Sequence, residues 1–200
     1  MQQNQKQRLV VATGNAHKLR EIAEIFTQYE VVSQKQMGFC EEVDETGTTF
    51  QENALIKARA ACRALGESVL ADDSGLCVEA LGGAPGIYSA RYCGRHGSDE
   101  ENRAVLLKNM AGVENRRAYF TSAIAIVTPD GEELVVEGRT YGHILLEEQG
   151  EGGFGYDCLF FSDDLQKSFG EATAEEKNGV SHRFRALQAI LKLLKDREQV

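Results

Sequence analysis

Two hundred residues are enough for one large domain, or two lobes sharing a sheet, that buries about 70% of the unfolded chain's surface. The 22 Lys and Arg against 31 Asp and Glu leave a net charge of -9, which argues against attraction to nucleic acid or to an anionic membrane. A polyanionic ligand would therefore need local cations or a metal.

No apolar run approaches the length of a membrane span, and Met1 to Arg8 is a polar tail without the apolar stretch of a signal peptide. A cytoplasmic protein is expected, with residues 9–195 as a single domain. Cys40, Cys62, Cys77, Cys93 and Cys158 are widely spaced and form no CxxC pair, so free buried or half-buried thiols are expected rather than a disulfide framework or a zinc knuckle.

The chain opens with an apolar strand, Leu9 to Ala12, then Thr13-Gly14-Asn15-Ala16-His17-Lys18 and an amphipathic helix beginning near His17, with Leu19, Ile22, Ala23, Phe26 and Tyr29 on one face. A short strand near Val31-Val32-Ser33 follows. A second helix, Phe50 to Leu65, turns Phe50, Ala54, Ala58, Ala61, Cys62 and Leu65 inward, with Thr48 or Thr49 as cap and Gly66 as stop. Val69-Leu70-Ala71 reads as a short buried strand ending in Asp72-Asp73-Ser74-Gly75. After a loop at Gly82 to Gly86, a helix from Asp99 to Met110 is expected with Ala104, Val105 and Leu107 inward. Two long strands, Ala118 to Val127 and Leu134 to Tyr141, form a hairpin turned at Pro129-Asp130-Gly131. Glycines 150, 152, 153 and 155 surround Phe154, and a last helix carries Phe184, Leu187, Leu191 and Leu194.

Four places carry residues suited to chemistry. The strand-to-helix turn from Thr13 to Lys18 aims backbone N–H groups and the positive end of a helix dipole at one point, and Lys18 adds a cation; the same shape also serves as a plain connection. It lacks the spacing of a P-loop or a GxGxxG turn. Asp72 and Asp73, leaving their strand in different directions, are hard-metal ligands in kind, as are Glu41, Glu42, Asp44 and Glu45, although acidic clusters also occur as solvated turns. Phe154-Gly155-Tyr156-Asp157 offers a ring that could stack on a base, or a strand end with core aromatics. Ser181-His182-Arg183, with Lys177 upstream, reads first as an N-cap serine followed by surface cations. His17, His96, His143 and His182 have no HExxH spacing, Ser74 has no GxSxG elbow, and Cys93 near His96 is too local a pair for a thiol nucleophile.

In order along the chain, Thr13 to Lys18 (TGNAHK), Asp72 to Gly75 (DDSG), Gly82 to Arg91 (GGAPGIYSAR), Gly153 to Asp157 (GFGYD) and Ser181 to Arg183 (SHR) resemble the inosine triphosphate pyrophosphatase family, the Ham1-like enzymes. The resemblance runs from Leu9 to about Leu194. It implies an elongated, two-lobed α/β fold on a long twisted mixed sheet flanked by helices, an active-site cleft between the lobes, a homodimer and dependence on Mg2+. It also implies hydrolysis of inosine, deoxyinosine and xanthosine triphosphates (ITP, dITP and XTP) to monophosphate and pyrophosphate. By the same resemblance, Thr13, Gly14, Asn15, Ala16, His17 and Lys18 bind the triphosphate, and Asp73 is both magnesium ligand and activator of water. Asp44 or Glu45 falls where the family has a further acidic metal contact. Ser74 touches the substrate, and Phe154, Gly155, Tyr156, Asp157, Lys177, His182 and Arg183 line the nucleoside and base pocket. Relatives often have glutamate at the Asp44 position, which leaves open which acid meets the metal. The competing readings are a Maf-like pyrophosphatase for other modified nucleotides, against which SHR and GFGYD argue, and a noncatalytic nucleotide-binding or RNA-binding module.

Overall fold

The computed structural model describes residues 6–95 and 98–198, so most of the expected N-terminal tail and His96 lie outside the described residues. The strands are β1 (Arg8–Ala12), β2 (Glu30–Ser33), β3 (Val69–Val78), β4 (Arg117–Val127), β5 (Glu133–Ile144), β6 (Phe160–Ser162) and β7 (Lys167–Ser168). The α-helices are α1 (Ala16–Ile25), α2 (Phe50–Leu65), α3 (Asp99–Asn109), α4 (Ala174–Val180) and α5 (His182–Glu198). The seven strands form one sheet in the order β2-β1-β3-β4-β5-β6-β7. The sheet is mixed: β1 runs parallel to β2 and β3, while β6 runs antiparallel to β5 and β7. The α/β class follows.

Residue contacts divide the chain into two compact units, the first comprising the chain through Asp73, Ala123–Glu137 and the chain from Ala186, the second Ser74–Ser122 and Gly138–Arg185. In the first unit, strand alternation sorts side chains onto two faces. Leu9, Val11, Leu70, Ile124 and Ile126 pack with Ile22 and Phe26 from the α1 end and with Ala186, Leu187, Ile190 and Leu191 of α5. Val10, Ala12, Val69, Ala71, Ala123, Ala125 and Val127 pack on the alanine stripe of α2, where small residues let the helix lie close. In the second unit, Leu76, Val78, Phe120, Ile144, Phe160 and Phe169 enclose the core with Leu106 and Met110. Each fully buried large side chain here contributes roughly 1.5–3 kcal/mol of transfer free energy.

Local signals set the element ends. Asn15 caps α1, accepting from His17 N at 2.9 Å and Lys18 N at 3.2 Å. Thr49 rather than Thr48 closes a capping box with Glu52, and Gly66 ends α2 in the left-handed region at φ +65°. The β4–β5 turn closes through Gly131 N to Thr128 O at 3.0 Å and Thr128 N to Glu132 O at 3.0 Å, as the hairpin reading requires.

Several expectations need correction. Arg8, placed in the tail, already pairs with Glu30 in the sheet. Strand β3 does not stop before Asp72 but runs ten residues through Asp72-Asp73-Ser74-Gly75, because both carboxylates find cations inside the fold. In α3 the inward stripe is Asn102, Leu106 and Met110, while Ala104 is exposed and Val105 and Leu107 only half-buried. Asn102 wins that place by hydrogen bonding: it accepts from Cys93 N at 2.9 Å and donates to Ala90 O at 3.2 Å. Ala23 of α1 is exposed, and Ile25 packs against the core instead. Cys40 is an exposed thiol.

Candidate active site

In the first unit, alternation along β3 sends Leu70 and Asp72 toward the α1 face and Ala71 and Asp73 toward the α2 face. Asp72, 1% exposed, meets Lys18 Nζ at 2.7 Å. Asp73, 7% exposed, meets Lys57 Nζ of α2 at 3.5 Å through Oδ1. Lys57 also donates to Glu45 Oε1 at 2.7 Å and to the Asp72 carbonyl at 3.0 Å. Glu45 is thus brought to the cluster, whereas Asp44 is exposed. The two carboxylates do leave the strand in different directions.

Burial and neighbouring charges pull against each other in this cluster. Burial pushes the Asp73 carboxyl above the ordinary aspartate value; Glu45 and Asp72 add to the rise, and Lys57 and Lys18 oppose it. Burial also works against the Lys57 charge, but Asp73, Glu45 and Asp72 outweigh it and hold that ammonium above the usual lysine value. Asp73 Oδ2 is buried with no hydrogen-bond partner among the described residues. A buried carboxylate oxygen left unsatisfied is costly unless something external completes it. No group of three or more His, Cys, Asp and Glu side chains suited to a metal exists among the described residues. Magnesium does not need one, since it commonly takes one or two carboxylates and fills its remaining positions with water and substrate phosphates. Asp73 Oδ2 and Glu45 fit that donor set.

The turn before α1 is more self-contained than its sequence implies. Thr13 Oγ1 accepts the Asn15 N–H at 3.0 Å, and the Asn15 carboxamide takes the His17 and Lys18 N–H groups. The anion-binding donors expected there are therefore partly engaged in capping. Gly14, Ala16 and His17 are exposed.

The second unit holds an aromatic and cationic cluster. Lys177 Nζ, from the last turn of α4, lies 2.5 Å from Asp157 Oδ2, 4.6 Å from the centre of the Phe154 ring and 5.6 Å from that of Phe169. Asp157 Oδ2 also accepts the Phe154 N–H at 2.8 Å, so one carboxylate holds both the cation and the loop. Gly153 is obligatory: its φ is +77°, and a Cβ there would meet Asp157 Oδ2 at 2.2 Å. Tyr156 donates from its hydroxyl to the Ser89 carbonyl at 2.7 Å, and burial raises its pKa, keeping it a neutral donor.

Ser181 Oγ accepts the Phe184 N–H at 3.1 Å, the N-cap role expected of it, but the cations after it are not on the surface. Arg183 is 1% exposed, donates from Nη2 to Ser74 Oγ at 3.1 Å and places its guanidinium 6.0 Å from the Phe154 ring centre. His182 is buried and stacked on Phe120 at 5.0 Å between centroids. The structure thus joins Lys18 with Asp72, Asp73 with Glu45, and Phe154 with Asp157, Lys177 and Arg183.

Lys57 is the functional candidate that sequence reasoning missed. A signal was present: it stands four residues after Asn53 and four before Ala61, so a lysine lies on the buried stripe of α2, where it needs a carboxylate partner.

A model described as the Ham1 family matches residues 9–193. The dITP/XTP pyrophosphatase of Bacillus subtilis (strain 168) is 45% identical over 189 residues, 92% of this chain and 96% of that protein. The one from Caldanaerobacter subterraneus subsp. tengcongensis is 49% identical over 199 residues, covering 94% and 98%. Among solved structures, the Ham1 protein of Staphylococcus aureus superposes with a TM-score of 0.89 at 40% identity, covering 96% of this chain and all (100%) of that one.

Proposed function

The chain belongs to the Ham1 family, and from that premise we propose that it is a nucleoside triphosphate pyrophosphatase that hydrolyses ITP, dITP and XTP to the monophosphate and pyrophosphate, clearing them from the nucleotide pool. The observation that carries the reading is Asp73: a buried carboxylate with a raised pKa, one oxygen on Lys57 and the other without a partner. A carboxyl tuned upward by burial accepts a proton at neutral pH more readily than an ordinary aspartate. In this reading Asp73 takes the proton from a water that attacks the α-phosphorus, and pyrophosphate departs. Lys18 and the turn from Thr13 to Lys18 hold the triphosphate, with Ser74 touching the substrate. Magnesium, held by Asp73 and Glu45, would supply neutralisation of the phosphate charge.

Base selection rests on donors. Lys177 and Arg183 carry no acceptor on their charged heads, so the O6 carbonyl of hypoxanthine or xanthine suits them and the 6-amino group of adenine does not. Phe154 offers the stacking face, with Gly155, Tyr156, Asp157 and His182 completing that side. We further infer a cytoplasmic homodimer, which sedimentation of the purified protein would check.

The deciding assay is steady-state hydrolysis of ITP, dITP, XTP, GTP and ATP with and without magnesium, measuring pyrophosphate and orthophosphate separately. Pyrophosphate release from the first three, lost on chelation, is the expected result. Orthophosphate as product, or equal turnover of ATP, would refute the proposal.

A further inference from the structure

Helix α3 takes no part in the reading above, yet one of its turns holds the loop that carries Phe154. Asp99 Oδ2 accepts the Gly155 N–H at 2.7 Å, and Arg103 Nη1 donates to the Gly155 carbonyl at 3.0 Å. Both polar groups of one residue's backbone are thereby gripped from positions i and i+4 of a single helix. Arg103 is itself braced by Glu148 Oε1 at 2.7 Å. The flanking residues are tied elsewhere, Phe154 N–H to Asp157 and the Tyr156 hydroxyl to Ser89. Gly155 is the pliable point between them: its φ is +61°, and nothing lies within 4 Å of where a Cβ would stand. Having no side chain of its own to pack, it is restrained by the hydrogen bonds from Asp99 and Arg103.

We propose that Asp99 and Arg103 are positioning residues that set the Phe154 ring for the purine by clamping the Gly155 peptide groups. The inference rests on the reading of Phe154 as the base platform. Two features separate the clamp from ordinary support of the fold. The buried stripe that docks α3 is a different one, Asn102, Leu106 and Met110, so removing the Asp99 carboxylate leaves that packing in place. The clamp's bonds are also charge-assisted, with Asp99 in the first turn of the helix where the dipole favours a carboxylate. Such bonds hold the position of a peptide group more firmly than neutral ones.

Releasing the clamp frees Gly155, and a ring displaced by a fraction of an ångström stacks less well on the base while the phosphate chemistry at Asp73 is untouched. The Asp99→Ala and Arg103→Met variants should therefore raise KM for ITP by roughly tenfold with kcat within about threefold of wild type, and should narrow the preference for ITP over ATP. Asp99→Asn keeps a carbonyl acceptor and should recover most of the lost KM. Independently of turnover, hydrogen exchange at the Gly155 amide of the nucleotide-free protein should be slow in wild type and Asp99→Asn and fast in Asp99→Ala. Unchanged KM in both Asp99→Ala and Arg103→Met, a fall in kcat alone, or Gly155 exchange that ignores Asp99→Ala would overturn the clamp. If wild type leaves ITP uncleaved, the proposed function fails, and the exchange arm still decides whether α3 holds the loop.

Discussion

Lys177→Met tests the buried pair on which the second unit's cluster is built. Lys177 and Asp157 are 7% and 3% exposed and 2.5 Å apart, and Asp157 already spends a lone pair of the same oxygen on Phe154 N–H. Methionine keeps most of the stem's packing but strands a carboxylate in the interior, a change that costs about 3–5 kcal/mol when one member of a buried pair is removed. Losing the ammonium from the faces of Phe154 and Phe169 adds of order 1 kcal/mol. A loss near 5 kcal/mol is large beside the 5–15 kcal/mol that typically holds a domain together. The assay is urea denaturation followed by far-ultraviolet circular dichroism and tyrosine emission, since the chain has 0 Trp and 6 Tyr. Asp157→Asn in the same background removes the stranded charge yet keeps an acceptor for Phe154 N–H, and should return about half or more of the loss. A deficit below about 1 kcal/mol in Lys177→Met, or a double variant less stable than either single one, would refute the argument.

Asp73→Asn should retain nucleotide binding, read by calorimetry, while turnover of ITP falls roughly a hundredfold or more, the scale of a lost general base. Because burial holds the folded Asp73 carboxyl above the ordinary value of 3.8, the stability it contributes is complete below that value and is lost as pH rises through the folded pKa. Wild type should therefore lose stability relative to Asp73→Asn between acid and neutral pH, measured by urea melts without magnesium; a constant difference contradicts the assignment. Lys57→Met removes the cation that opposes that rise, so the acid limb of the kcat profile for ITP should move to higher pH, and an unmoved limb would count against coupling of Lys57 to Asp73. Gly153→Ala forces a left-handed φ onto alanine and drives a methyl into the Asp157 carboxylate, so it should cost about 1–3 kcal/mol of stability and raise KM for ITP, visible in the same two assays.

The sequence by itself determined the α/β class, the span of α2, the hairpin at Gly131 and the cap at Ser181. These signals act over a few residues: an apolar period, a hydroxyl three positions from an N–H, a glycine where φ must be positive. It also brought the motifs into view in order, from Thr13 to Arg183. What it left open was which charges meet. Whether Asp44 or Glu45 reaches the buried carboxylate depended on the path of a loop against α2, and only Glu45 touches Lys57. Arg183 reads from its neighbours as a surface cation, yet it donates to Ser74, 109 residues away. The Asn102 stripe of α3 escaped for the same reason, since its place is won by hydrogen bonds to Cys93 and Ala90 rather than by hydrophobicity. Tertiary structure decided these points because burial of a charge is settled by its partner, and partners distant in the chain leave no periodic trace in either segment.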